Sequence, residues 1–332
     1  MVEPFVARRA GEQAPQPVKR RSAHGSELAE FSVLSSLVSD AAVTDVFVNG
    51  DGSVWVDRGS GLRREPLRLE PAPLRQLAVR LVGLGGRHID EASPCVDARL
   101  HDGIRVHAVL PPISPAGTLL SIRLPRVGVL RLDDLDAAGF FSAVPVESIT
   151  DLVTRRENLL ITGAAGSGKT TLLSAILSAA DPAERMIAIE DVAELRVEHP
   201  QFVSLESRQA NLEGTGEVGL TRLVREALRM RPDRLVLGEC RGAEIRELLA
   251  ALNTGHDGGA GTLHANSLDD VPARLEALGA LAGMTPDAVA RQTVSAIGTV
   301  LHVERAGGTR RLAQVGRFVL DRHGRLAIGR PE

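Results

Sequence analysis

The run Gly163-Ala164-Ala165-Gly166-Ser167-Gly168-Lys169-Thr170 matches the pattern G-x-x-x-x-G-K-[ST]. These residue types suit one task. Glycines let backbone N–H groups wrap an anion, and a following helix N-terminus adds a favourable dipole. A lysine at the seventh position reaches the β- and γ-phosphates, and a hydroxyl after it ligates Mg²⁺. Lys169 and Thr170 stand at those positions, with Thr171 continuing the nucleotide-contacting set. Thr170 and Glu239 are the expected metal-side residues, and ATP with Mg²⁺ the expected cofactor pair.

Further groups stand downstream. Arg234-Leu-Val-Leu-Gly-Glu239 is an apolar stretch ending in an acid, suited to the metal and water side of a nucleotide site. Ile187-Ala-Ile-Glu190-Asp191-Val-Ala-Glu194 crowds three acids at a strand end. Any of the three could align water for attack on a γ-phosphate. His256 and His264 flank a Gly-rich stretch, which fits a phosphate-sensing loop better than a metal site, since no third ligand is near. Arg105 and Arg123 lie on expected strands around Pro111-Pro112, where solvated arginines are the ordinary case.

These side chains need a scaffold, and the hydropathy pattern supplies one. A buried strand over Asn158–Thr162 leads into the Gly-rich loop, and a helix over Lys169–Ala180 leaves it. A strand over Met186–Glu190, a helix over Leu220–Met230 and a strand over Arg234–Gly238 follow. Strands alternating with helices imply an α/β fold with a mostly parallel sheet and helices on both faces. The half before it reads differently. Leu28, Phe31, Leu34 and Val38 share a helical face. Val46 and Val48, the turn Asn49-Gly50-Asp51-Gly52, and Val54 and Val56 form a hairpin. Pro71 and Pro73 open a helix through Leu74, Leu77 and Leu81 that stops at Gly85-Gly86. Val96–Leu100 and Ile104–Leu110 make a second hairpin, and Leu119–Leu124 another strand. The expected organisation is a disordered tail at 1–25, a smaller α+β domain at 26–131 and a connector at 132–145. An ATPase domain with a C-terminal β segment fills 146–332.

Composition narrows the field. Lys+Arg number 39 against 42 Asp+Glu, a formal charge of −3, so no global basic excess calls for nucleic acid. Seven Phe, one Trp and no Tyr leave little for base stacking. Cys95 and Cys240 are too few for a disulfide framework or a four-Cys zinc site, and read as reduced, partly buried thiols of a cytosolic protein. Neither a signal peptide nor a membrane span is expected.

In this order, the groups resemble the secretion ATPases of the type II/type IV superfamily, also called traffic ATPases. They look like that family's Walker A, Asp box, Walker B and His box. The stretch Leu228-Arg-Met-Arg-Pro-Asp-Arg-Leu-Val-Leu-Gly-Glu-Cys-Arg-Gly242 is particularly specific. Thr44-Asp-Val-Phe-Val-Asn-Gly50, Asp102-Gly-Ile-Arg-Val106 and Ser121-Ile-Arg-Leu124 extend the likeness, so that it covers about residues 26–305. The branch resembled is that of the Tad pilus and conjugation ATPases, because the zinc module of other branches needs four cysteines. Val192-Ala193 departs from the usual polar or Pro residues of the Asp box, while its acids are kept.

The resemblance implies a RecA-like P-loop NTPase domain preceded by the α+β domain. It implies Glu194 as general base and Glu239 at the magnesium and attacking water. His256 and His264 would sense phosphate and link to a neighbouring subunit, and Arg105 and Arg123 would be arginine fingers. It further implies a homo-hexameric ring with the nucleotide between the two domains. That ring would sit at the inner face of the cell membrane and push on inner-membrane platform proteins, without direct nucleic-acid contact. A RecA-like DNA-translocating ATPase, a P-loop small-molecule kinase and a nucleotide-binding scaffold without turnover are the alternatives.

Overall fold

The computed structural model describes residues 29–59, 61–100, 103–124, 128–208, 216–306 and 309–329. The expected tail at 1–25 and Leu28 lie outside the described residues. The chain divides into two compact units, Met1–Val127 and Gly128–Glu332.

In the first unit a short 3-10 turn and α1 (Ser35–Ser39) precede β1 (Asp45–Val48), β2 (Ser53–Asp57), β3 (Leu62–Arg68) and α2 (Pro71–Leu84). Then come β4 (Cys95–Arg99), β5 (Arg105–Val109) and β6 (Leu119–Arg123). They form a six-stranded sheet in the order β3-β2-β1-β6-β5-β4. The valines of β1 and β2 alternate inward, as half-buried strands must. They meet Leu74, Leu77, Ala78, Leu81 and Val82 of α2, with Phe31, Leu34 and Val38. The hairpin turn closes on Gly52, φ 80°, where a Cβ would stand 2.0 Å from the Leu69 carbonyl oxygen. Strand β3 escaped sequence reading: an edge strand whose residues are mostly exposed carries no buried alternation.

The second unit opens with α3 (Leu132–Ala137) and α4 (Val146–Thr154). Residues 132–145, expected as a connector, contribute Leu132, Leu135, Phe140 and Phe141 to this unit's core. Next come β7 (Leu159–Gly163), α5 (Lys169–Ser178), β8 (Met186–Glu190) and β9 (Phe202–Glu206). The chain continues through α6 (Leu220–Leu228), β10 (Arg234–Cys240), α7 (Ile245–Leu252), β11 (Ala260–His264), α8 (Val271–Leu281) and α9 (Pro286–Ala296). It ends on the antiparallel strands β12 (Thr299–Ala306), β13 (Thr309–Leu320) and β14 (Leu326–Gly329).

The eight-stranded sheet runs β14-β13-β12-β7-β11-β10-β8-β9, and the six strands from β12 to β9 are parallel. Its central strands are buried on both sides, so their side chains divide by period two between two cores. Leu160, Ile187, Ile189, Leu235 and Leu237 face α6 to α9. Leu159, Ile161, Met186, Ala188 and Val236 face α3, α4 and α5. Two packed layers hold the strand ends in place, and the chemistry-bearing residues sit on those ends.

Leu160 is fully buried, whereas Leu281 is 70% exposed. Leu160→Ala is expected to cost about 2–5 kcal/mol in urea unfolding. Leu281→Ala should stay within about 0.5 kcal/mol of wild type.

Candidate functional site

Strand β7 ends on Gly163, whose φ of 149° brings its Cα against β12: a Cβ there would lie 2.2 Å from the Val303 carbonyl oxygen. The loop turns at Gly166, φ 69°, and enters α5 at Gly168, φ 107°. Helix α5 has no side-chain cap and no acid in its first turn. Its first N–H groups are thus left to an anion. Ser167 is buried, and its Oγ has no hydrogen-bond partner among the described residues. An uncapped helix start, a glycine-lined loop and an orphaned buried hydroxyl together fit a phosphate group.

Lys169 is 7% exposed. Its Nζ donates to the carbonyl oxygens of Gly163 at 3.0 Å and Ala164 at 2.9 Å, and lies 3.4 Å from His264 Nδ1. Burial pushes its pKa down, while Glu239 and Glu194 oppose the shift. His264 closes β11, whose parallel pairing with β7 sets it beside Gly163. Its Nε2 lies 2.8 Å from Glu239 Oε1. Burial and then the neighbouring Lys169 push the His264 pKa down, against the pull of Glu239. Lys169, His264 and Glu239 thus form a continuous polar chain across the ends of β7, β11 and β10.

The three acids after β8 separate by environment. Glu190 is buried, and its Oε1 accepts the N–H groups of Glu194 at 2.9 Å and Leu195 at 3.0 Å. Asp191 pairs with Arg241 and accepts from Ser207 Oγ at 2.9 Å. Both carboxylates shape the turn. Glu194 is exposed, and its charge reaches Lys169.

His256 is not with this group. It precedes β11, at the opposite edge of the sheet from His264, and its Nδ1 faces the Ala251 carbonyl oxygen at 3.1 Å. His264 closes β11 and His256 lies before its first residue, so the length of the strand parts the two histidines within one chain. Near His256 lies a polar cavity of about 460 Å³, lined by Arg155, Arg156, Glu157, Asn158, Gly255 and Asp257 among others. Arg105 and Arg123 belong to the first unit, opposite one another across β5 and β6. Arg99 lies beyond Arg105 on β4, and Arg123 Nε reaches Asp45 Oδ1 at 3.4 Å. Three cations therefore stand side by side on neighbouring strands. Cys240 is buried, which pushes its thiol pKa up; Cys95, expected to be partly buried, is exposed.

Sequence reading missed two groups. Arg241 follows the acid strand directly, and that adjacency was its available signal. Arg310 of β13 donates from Nε to the Gly166 carbonyl oxygen at 2.9 Å, across 144 positions of chain, and no local pattern announces it. Behind the loop, buried His302 of β12 meets Thr162 Oγ1 at 2.9 Å through Nδ1.

A family model described as type II/IV secretion system protein matches residues 27–302. A putative conjugal transfer protein of Mycobacterium tuberculosis is 49% identical over 298 residues, 87% of this chain and 85% of that protein. The conjugal transfer protein TrbB of Rhizobium radiobacter is 30% identical over 284 residues, 84% of each chain. The solved structure of the ATPase DotB from Yersinia pseudotuberculosis shares the fold, with TM-score 0.60, 16% identity, and coverage of 96% of this chain and 84% of that one.

Burial depresses the His302 pKa below its ordinary 6.5, with Lys169 adding to the shift and Glu304 and Asp270 opposing it. Below that pH the unfolded chain takes up a proton that folded His302 resists, so stability falls as pH drops. The urea midpoint should therefore decline from pH 7.5 to 5.5. His302→Asn should show a flatter decline, and an unchanged slope contradicts the assignment.

Proposed function

Because this chain belongs to the type II/IV secretion system protein family, we propose that it is the ATP-hydrolysing motor of a secretion, pilus-assembly or conjugation apparatus. The convergence of Lys169, His264 and Glu239 beside an uncapped helix start carries this reading. The conjugal transfer relatives and the ATPase fold support it. The proposal includes a RecA-like second unit and assembly as a homo-hexamer. It places the ring in the cytoplasm at the inner face of the cell membrane, acting on platform proteins without direct nucleic-acid contact. Among the described residues no helix is long and apolar enough to cross a membrane.

The loop 163–168 and the first N–H groups of α5 bind the phosphates of ATP, and the Lys169 ammonium neutralises the β- and γ-oxygens. Thr170 and Glu239 would hold magnesium, whose chemistry there would be charge neutralisation on the phosphate oxygens. Glu194 is the general base that takes a proton from the attacking water, because Glu190 and Asp191 are engaged in holding the turn. Glu239 orients that water, and His264 couples Glu239 to the lysine that senses the phosphate. Arg105 and Arg123 are the proposed arginine fingers: a guanidinium presents a planar fork to phosphate oxygens and keeps its charge at all working pH values.

Steady-state hydrolysis and nucleotide binding separate these roles. Lys169→Ala should abolish measurable turnover. Glu194→Gln should lower kcat by about 10²–10⁴-fold while ATP still binds. Arg105→Ala and Arg123→Ala should lower kcat far more than they weaken ADP binding. Wild-type turnover in Lys169→Ala refutes the motor. Wild-type turnover in Glu194→Gln moves the base to another acid.

A further inference from the structure

We propose that Arg310 is a positioning residue of the nucleotide site, delivered to the phosphate loop by the hairpin of β12 and β13. The inference rests on the nucleotide reading above. The peptide joining Gly166 to Ser167 is held from both sides. Its N–H donates to the Ala164 carbonyl oxygen at 3.3 Å, closing a tight turn through Gly166 at φ 69°. Its carbonyl oxygen accepts from Arg310 Nε at 2.9 Å. A glycine-rich loop has many backbone conformations open to it. A peptide free to flip would turn a carbonyl oxygen toward the phosphates, where like partial charges repel. The Arg310 bond holds that oxygen outward and leaves the N–H groups that open α5 to face the anion.

The same hairpin touches the loop at other points. The Arg310 stem lies against Gly168, where a Cβ would come 3.2 Å from its Cδ. At the loop's other end, the Val303 carbonyl oxygen of β12 fills the space beside Gly163. Arg305 stands opposite Arg310 in the β12–β13 ladder, so the hairpin end beside the cradle is cationic. The hairpin thus grips the loop at Gly163, Gly166 and Gly168, and Arg310 makes its hydrogen bond.

The test uses the full chain and three substitutions, of which two, to Met and Gln, resemble arginine out to its fourth side-chain atom and the third, to Lys, keeps only the charge. Arg310→Met keeps the stem and removes the donor. Arg310→Gln places an amide nitrogen where arginine carries Nε, without charge. Binding is read with a fluorescent ADP analogue in Mg²⁺, and turnover as steady-state ATP hydrolysis. Loss of one charge-assisted bond should raise Kd and KM about tenfold in Arg310→Met, with kcat changed less than about threefold. Arg310→Gln should recover most of that loss. Amide hydrogen exchange over 163–168, measured without nucleotide, should quicken in Arg310→Met and return in Arg310→Gln. Wild-type binding and exchange in Arg310→Met overturn the proposal. So does failure of Arg310→Gln where Arg310→Lys rescues, since charge and not the grip on Gly166 would then be the cause. A wild-type protein that binds no nucleotide defeats the nucleotide reading instead, and the exchange measurement still decides whether Arg310 holds the loop.

Discussion

A buried lysine ammonium is the constraint on which the second unit depends. Lys169 is buried against two carbonyl oxygens of its own loop. Burying a charge is costly unless it is met by polar partners. Those partners exist only if β7 stops at Gly163 and the chain reverses in left-handed conformations at Gly166 and Gly168 before α5 begins. A side chain at Gly163 would collide with the backbone of β12. The loop's shape is therefore set jointly by its own glycines and by a strand that enters much later in the chain.

The parallel sheet turns that loop into a site. Strands β7, β11, β10 and β8 lie side by side and point the same way, so their C-terminal ends share one edge. Open α/β sheets place ligands at such an edge, where helix starts and strand ends meet. His264 and Glu239 arrive there because of register, and the His264 ring spans from the lysine to the carboxylate. The same geometry excludes His256, which lies on the wrong side of a five-residue strand. Two histidines close in sequence are thus parted by the strand between them.

Acids that look alike in sequence do different work. Glu190 turns back to hold the N–H groups of Glu194 and Leu195, and Asp191 is drawn to Arg241 and Ser207. Both stabilise the turn that presents Glu194. This division follows from the partners each acid meets after β8, and a list of carboxylates does not contain it.

Much was legible from residue order alone. The P-loop, the strands beside it and the helix after it follow from glycine spacing and apolar runs, because those signals are local and the strands are buried on both faces. The Asn49–Gly52 turn and the Pro71 helix start were legible for the same reason, each being encoded within a few residues. Strand β3 was not, since an exposed edge strand has no apolar period. Nor was the packing of Leu132, Leu135 and Phe140 into the second unit's core, because a short amphipathic stretch does not say which unit it joins. The tertiary structure alone decided that His264 and not His256 joins Lys169, that Glu190 and Asp191 serve the turn, and that Arg310 reaches Gly166. The His264–Lys169, Asp191–Arg241 and Arg310–Gly166 pairings are made by strand order and register across many tens of residues. Local propensity carries no information about partners at that range, whereas the close packing of two layers on one sheet admits a single arrangement.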